Sequence, residues 1–172
     1  MLKISDLQQQ ASVAELEQQL ARAREAERQA QKTEAQRQKD WQHAETRFLA
    51  RAGEEVEECE TRSRATIAQA QSEASTVITP DMRVTARAWL RGGLGSPGEL
   101  LGPDDVLGAS DPVAAQLLGV VRAVQQTISK LFDMSAEHFI RSGEPVAVKA
   151  DTIEVEARRA FLARVRAVAG ED

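Results

Sequence analysis

The sequence has few aromatic residues and a single cysteine. It contains four Phe, two Trp and no Tyr in 172 residues, whereas Ala, Glu, Gln and Arg are abundant. This composition is typical of long helices with narrow apolar seams. The one cysteine, Cys59, excludes an intramolecular disulfide and a cysteine-rich zinc site. A reducing compartment is therefore the simplest expectation.

Long apolar runs are also missing from the sequence. The opening residues, MLKISDLQQQ, do not resemble a signal peptide, and no stretch approaches the roughly 20 apolar residues of a membrane span. We therefore expect a soluble, cytoplasmic protein that has no membrane partner. The net charge is −5, with both halves slightly acidic, whereas nucleic-acid binders normally carry a basic surplus.

Proline is absent between residues 5 and 78, and Gly53 is the only glycine there. Strong helix formers fill this segment, so it predicts one long helix. Such a helix is roughly 105 Å long at 1.5 Å per residue, which is too long to bury one side on a small domain. The sequence therefore predicts an all-α fold. Residues 1–78 form a long coiled-coil oligomerisation arm, and residues 79–172 form a small, compact helical-bundle domain.

Small and apolar residues recur at heptad spacing along the predicted arm, interrupted by three charged residues. Glu27, Glu34 and Arg37 occupy seam positions, where charge is costly in a tight dimer. They predict a weak or discontinuous coiled coil, or one with different chains as partners. Beyond residue 48, extra four-residue steps indicate a stutter. We call the heptad positions up to residue 44 the arm seam: Val13, Leu16, Leu20, Ala23, Glu27, Ala30, Glu34, Arg37, Trp41 and Ala44.

Six residues of the predicted arm are candidates for oligomer or partner contacts. Trp41 and Phe48 are its bulkiest side chains and lie one heptad apart, so they are the expected anchors. The alternative is that these two aromatic residues fold back against the C-terminal half. The six candidates are Leu16, Leu20, Trp41, Phe48, Val56 and Ile67.

Start and stop signals divide the C-terminal half into three helices of about 80–91, 112–142 and 152–168. Thr79-Pro80 and Ser110-Asp111-Pro112 each combine a capping residue with proline at the first helical position. The connector at 92–111 is rich in Gly and Pro, and a short helical turn is expected from Pro103.

Two points in this half are open. Asp133-Met134-Ser135 is a possible break within the second helix. Alternating apolar residues at 146–155 favour a β-hairpin, whereas Asp151 and Glu154 form a D-x-x-E capping pattern that favours a helix beginning at about residue 152. We prefer the helix.

Gly93, Gly95 and Gly98 spell G-x-G-x-x-G, the spacing of a loop that binds a pyrophosphate. That loop must follow a strand and open a helix, whereas Gly93 follows a predicted helix and no βαβ unit surrounds it. We therefore interpret these glycines as a corner of the helical domain and expect no nucleotide cofactor.

Catalytic and metal-binding patterns are scarce. His43 and His138 are far apart in the sequence, so they form no H-x-x-x-H pair. The acidic run EEVEECE at 54–60 is interpreted as a solvated helix face. Cys59 has no conspicuous neighbouring base and is interpreted as a packing residue. We expect no catalytic site, no cofactor, no metal and no small-molecule substrate.

The function expected from these features is assembly. The chain would be a non-enzymatic structural or adaptor protein that self-associates, or docks on a helical protein partner, through its coiled coil. Virion or tail components, cytoskeletal adaptors and segregation-complex subunits fit this description. The alternative is an oligomeric nucleic-acid-binding protein, or one that contacts an acidic partner, through its arginine-rich last helix. The arginines concerned are Arg158, Arg159, Arg164 and Arg166.

Overall fold

The computed structural model describes the backbone of residues 3–74, 77–92 and 102–171. Within these ranges it describes side chains at residue 13 and from residue 15 onward. All regular secondary structure in these ranges is α-helical, which confirms the predicted all-α class. The helices are α1 (Lys3–Glu73), α2 (Pro80–Leu90), α3 (Pro103–Ser110), α4 (Pro112–Met134), α5 (Ala136–Ser142) and α6 (Glu144–Ala169).

The chain divides into two compact units, Met1–Thr46 and Arg47–Asp172, which we call unit 1 and unit 2. The division lies inside α1, whereas the sequence predicts a domain boundary after residue 78. Periodicity alone did not indicate it, because the helix continues without a break. What places residues 47–73 in unit 2 is the set of side chains that α1 contributes to its core. They are Phe48, Ala52, Val56, Cys59 and Ala70.

Two of the predicted helix starts are present with their caps. Thr79 Oγ1 accepts a hydrogen bond from Met82 N at 3.2 Å, and Pro80 is the first residue of α2. Asp111 Oδ1 accepts from Val113 N at 3.0 Å at the start of α4. These caps satisfy backbone N–H groups that have no partner within their own helix.

The predicted helix at 112–142 is two helices, α4 and α5. Ser135 separates them with an extended backbone, φ −165° and ψ 95°. Its hydroxyl accepts a 3.4 Å hydrogen bond from His138 N and so caps α5. The break falls within the Asp133-Met134-Ser135 stretch singled out in the sequence. A serine that caps a new helix competes with continuation of the old one.

The last helix begins earlier than the predicted residue 152. α6 runs from Glu144, with Pro145 in its first turn, so residues 146–155 are helical and the hairpin alternative is wrong. The D-x-x-E pattern at Asp151 therefore lies inside a helix. The helix is favoured because a helically spaced stripe of its side chains enters the core. That stripe includes Ala150, Ile153, Ala157, Phe161, Val165 and Val168.

The core of unit 2 consists of two apolar clusters along α4 and α6. One cluster joins α2 and α3 to the first half of α4 and the last turns of α6, and it includes Leu107, Leu117 and Phe161. The other joins α1 to the rest of α4 and the first half of α6 around Val124 and Leu131. Burial of these side chains removes apolar surface from water, which is the main favourable term in folding.

A buried ion pair crosses this core. Arg164 Nε donates to Asp111 Oδ2 at 2.8 Å, and their side chains are only 3% and 1% exposed. Arg164 Nη1 also donates to the carbonyl oxygen of Ala74 at 2.8 Å. One guanidinium on α6 therefore holds the start of α4 and the residue that follows α1. Since buried charges need partners, this network restricts how the three helices can pack.

Candidate oligomerisation and partner surface

Unit 1 exposes an apolar stripe on a single helix. Val13, Leu16 and Leu20 occupy consecutive heptad positions and are 52%, 62% and 51% exposed. Every side chain from Glu15 through Asp40 is exposed. Helices in proteins derive most of their stability from packing an apolar face, so this segment lacks that stabilisation within one chain.

The charged positions of the arm seam are equally accessible. Arg37 and Glu34 lie 3.9 Å apart, one turn from each other, with side chains 75% and 76% exposed. An exposed pair of this kind contributes little to stability. Glu27 is exposed one heptad before Glu34. These charges are therefore available to a partner.

The remaining candidate contact residues occupy other surroundings. Phe48 and Val56 are 6% and 1% exposed and lie in the core of unit 2, where Phe48 stacks on His138 at 5.8 Å. The fold-back alternative therefore describes Phe48. Trp41 is half-buried, and Ile67 packs against both core clusters. The structure thus leaves Leu16 and Leu20 as the exposed members of the predicted contact set.

The arginines of α6 are also separated by the fold. Arg164 belongs to the buried network with Asp111 and is not a surface group, so its assignment as a contact residue is wrong. Its helical register gave no sign of this, because the residue that pairs with it is 53 positions away. Arg158, Arg159 and Arg166 are exposed and lie within an arc of about 100° on one face of the helix. Arg158 Nη2 donates to Glu154 Oε1 at 2.7 Å, which partly neutralises it.

That same face also carries an apolar stripe that the predicted helix bounds did not reveal. Val148, Val155 and Leu162 are 56%, 46% and 38% exposed and lie one heptad apart. Their seven-residue spacing is visible in the sequence. A helix predicted to begin at residue 152 excludes Val148, however, so the stripe was not recognised. The outer face of α6 is therefore a second exposed surface, in which apolar side chains alternate with arginines.

The acidic run at 54–60 is only partly a solvated face. Glu55 Oε1 accepts from Lys130 Nζ on α4 at 2.6 Å, and Glu60 Oε2 accepts from Lys149 Nζ on α6 at 2.8 Å. The hydrogen bond from each lysine lowers the pKa of the glutamate below its ordinary value of 4.5. The bond to Glu60 likewise raises the pKa of Lys149 above 10.5. These pairs connect α1 to its neighbours in unit 2.

Replacing Lys149 with Met is expected to lower the stability of unit 2 near neutral pH and to reduce its sensitivity to acid. Because the pKa of Glu60 is lowered by folding, the unfolded chain binds more protons as the pH falls below 4.5. The stabilisation is therefore present above that pH and is lost as the pH falls through the lowered pKa. Urea unfolding at pH 7 and about pH 3 measures this, and the two proteins are expected to differ less at the acidic pH.

Arg62→Met is the matched control for that experiment. Arg62 pairs with Glu58 at 3.3 Å within one helix, and both side chains are more than 60% exposed. A surface pair of this type contributes little, so a smaller change is expected. An equal loss at both pH values in Lys149→Met would contradict the proposed linkage.

Groups with catalytic potential lie in unreactive surroundings. Cys59 is buried, and the side-chain partner of its sulfur is Ser63 Oγ at 3.8 Å, which is not a base that activates a thiol. In the described part of the chain, no three His, Cys, Asp or Glu side chains converge as a metal site requires. Gly93, Gly95 and Gly98 lie outside the described residues.

None of the described helices contains a segment both long and apolar enough to cross a bilayer. Comparison of the chain with models of known protein families, with curated proteins and with solved structures gave no match. The class that the fold and its surface define is an all-α protein with a long N-terminal helix whose apolar stripe is exposed.

Proposed function

We propose that this protein is a non-enzymatic structural or adaptor protein that assembles through the arm seam. The observation that carries the proposal is the exposure of every side chain from Glu15 through Asp40, including Leu16 and Leu20, on one helix. A helix of this length that buries no side chain is marginal in water, whereas association of two or more copies covers its apolar stripe.

The division of the chain supports this proposal. Unit 2 has its own apolar core and ion pairs, so it does not need the exposed stripe of unit 1 to fold. The stripe is therefore free to serve contacts between chains. Such a division would suit a component of a virion or tail, a cytoskeletal adaptor or a segregation-complex subunit. The single cysteine accords with the cytoplasmic location expected from the sequence.

Substituting Leu16→Ser and Leu20→Ser together is expected to convert an oligomer into a monomer. Each buried leucine contributes about 1.5 to 3 kcal/mol, and each 1.4 kcal/mol is tenfold in affinity. The dissociation constant should therefore rise by at least about a hundredfold. Multi-angle light scattering over a concentration series measures the mass directly.

The control for this test is Val148→Ser/Val155→Ser, which removes exposed apolar residues of similar size from α6. We expect this variant to keep the oligomer. A wild-type chain that is monomeric at high concentration contradicts self-association. If only the control variant loses the oligomer, the chains associate through α6 and not through the arm seam.

A second candidate function is binding of nucleic acid or an acidic partner by α6. The observation that favours it is the clustering of Arg158, Arg159 and Arg166 on one exposed face, which assembly would repeat in each copy. Alanine at Arg159 and Arg166 is expected to weaken DNA or RNA binding about tenfold at low salt and to reduce its salt dependence. Absence of binding by the wild-type protein at low salt excludes nucleic acid.

A further inference from the structure

We propose that a groove between α6 and the end of α1 binds an acidic amphipathic helix of a partner protein, which inserts one large apolar side chain there. The inference rests on the second candidate function, binding of an acidic partner by α6, and adds to it the chemistry of that partner. It does not depend on the arm seam, because all the residues concerned lie in unit 2.

The groove is apolar and has a volume of about 260 Å³. Ala163 and Ala167 of α6 are exposed at its mouth, whereas Ala70 of α1 and Val113 and Leu117 of α4 are buried along its base. An apolar cavity of about 150 Å³ is large enough for benzene, so this groove has room for one large side chain. It is smaller than most small-molecule pockets, which favours a side chain as the occupant.

Two arginines of α6 lie beside the mouth of this groove. Arg159 is one turn before Ala163 and Arg166 is one turn after it, and residues three or four apart are neighbours on a helix surface. Both arginines are exposed, and in the described part of the chain neither forms an ion pair. The acidic residue one turn before Arg159, Glu156, is instead paired with Arg64 of α1 at 3.9 Å. The charge beside the groove is therefore positive and available to acidic groups.

The charged residue that lines the groove itself, Arg164, is already satisfied within unit 2. Asp111 accepts hydrogen bonds from its Nε and Nη2, and the carbonyl oxygen of Ala74 accepts one from its Nη1. An apolar side chain can therefore occupy the groove without removing an unpaired charge from water.

An acidic amphipathic helix matches both features at once. Glutamates one turn to either side of a large apolar residue would reach Arg159 and Arg166 while that residue enters the groove at Ala163. Arginine forms strong, charge-assisted hydrogen bonds with carboxylates. The phosphates of a nucleic acid would also satisfy the arginines but would leave the apolar groove open to water. The groove and the arginines together therefore favour a helix over a nucleic acid.

Fluorescence anisotropy with a synthetic probe tests the proposal. The probe is an alanine-based helical peptide of about 18 residues, with a central phenylalanine and glutamates three and four residues to either side of it. One control peptide has lysine in place of the glutamates, and another has alanine in place of the phenylalanine. At about 0.05 M salt, where screening is weak, we expect the probe to bind at least about tenfold more tightly than either control.

Substitutions in the protein locate the binding site. Ala163→Leu fills the mouth of the groove and is expected to weaken binding of the probe about tenfold or more. Because Ala163 is exposed, this variant should keep the unfolding midpoint of the wild type. Ala123→Leu is the matched control, since Ala123 is an exposed alanine on α4 that does not line this groove. Arg159→Gln/Arg166→Gln keeps the groove and should reduce both the affinity and its salt dependence.

The proposal and the second candidate function fail in different ways. Binding of the probe that Ala163→Leu leaves unchanged shows that the groove is not the site and overturns the proposal. If the wild-type chain binds duplex DNA but not the probe, α6 keeps a nucleic-acid role and the partner helix is rejected. If neither DNA nor the probe binds at low salt, both are rejected.

Light scattering separates this surface from association between copies of the chain. The mass of Ala163→Leu is expected to equal that of the wild type. A lower mass would show that a second copy occupies the groove and would overturn the assignment to another protein. A wild-type chain that is monomeric and still binds the probe would reject assembly through the arm seam alone.

Discussion

Replacing Arg164 with Met is expected to lower the free energy of unfolding of unit 2 by about 3 to 5 kcal/mol. The guanidinium makes hydrogen bonds of 2.8 and 3.2 Å to the Asp111 carboxylate and one of 2.8 Å to the carbonyl of Ala74. Methionine fills much of the same volume but donates nothing. Asp111, which is only 1% exposed, would then be a buried carboxylate without its cation.

The effect is large because Asp111 stays buried when Arg164 is replaced. A buried ion pair as such adds little, because removing both charges from water offsets much of their attraction. Removing one member leaves the other desolvated and unpaired. Asp111 also caps α4, so a disturbance of its carboxylate extends to the first turn of that helix. The double variant Asp111→Asn/Arg164→Met is therefore expected to be more stable than Arg164→Met alone.

Arg166→Met is the matched control, since Arg166 is exposed on the same helix. It should change stability by less than about 0.5 kcal/mol. Chemical denaturation followed by tryptophan fluorescence measures all three variants, because Trp89 packs on Phe161 in this core. An Arg164→Met protein within about 1 kcal/mol of the wild type would show that the network is dispensable.

Phe48→Ala is expected to destabilise unit 2 by about 3 kcal/mol or more while leaving the affinity of chain association unchanged. Phe48 is 6% exposed, so truncation removes buried apolar surface and leaves a cavity. If this residue were a partner anchor, as one interpretation of the sequence holds, the affinity of association would fall instead. Stability and mass therefore distinguish the two roles.

Phe132→Ala is the control for this substitution, because it removes the same side chain from a site that is 44% exposed. We expect it to cost less than Phe48→Ala, because more of the ring is already in contact with water. Denaturation midpoints and light-scattering masses of both variants, measured below the unfolding transition, complete the comparison. A Phe48→Ala protein that remains fully folded but no longer forms an oligomer would show that Phe48 is a contact residue between chains.

Features set by neighbouring residues were predictable from the sequence. The all-α class follows from helix formers and the absence of proline between residues 5 and 78. The starts of α2 and α4 follow from Thr79-Pro80 and Asp111-Pro112, because a cap and its helix are adjacent in the chain. The Leu16–Leu20 stripe follows from heptad spacing in the same way. The interruption of helix 112–142 at Ser135 was only partly predictable, since its capping competes with helix continuation.

Features that depend on distant residues were decided only by the tertiary structure. Periodicity shows that a helix has an apolar face, but not whether that face meets its own chain or another copy. Phe48 and Leu16 share one pattern, yet Phe48 is buried in unit 2 and Leu16 is exposed. Arg164 differs from Arg166 because the fold brings Asp111 and Ala74, 53 and 90 residues away, to its guanidinium. The sequence by itself determined which segments are helical and which faces are apolar, because those properties are local. Only the packing of α1, α4 and α6 decided which of those faces remain available to a partner, because burial depends on what the rest of the chain places against them.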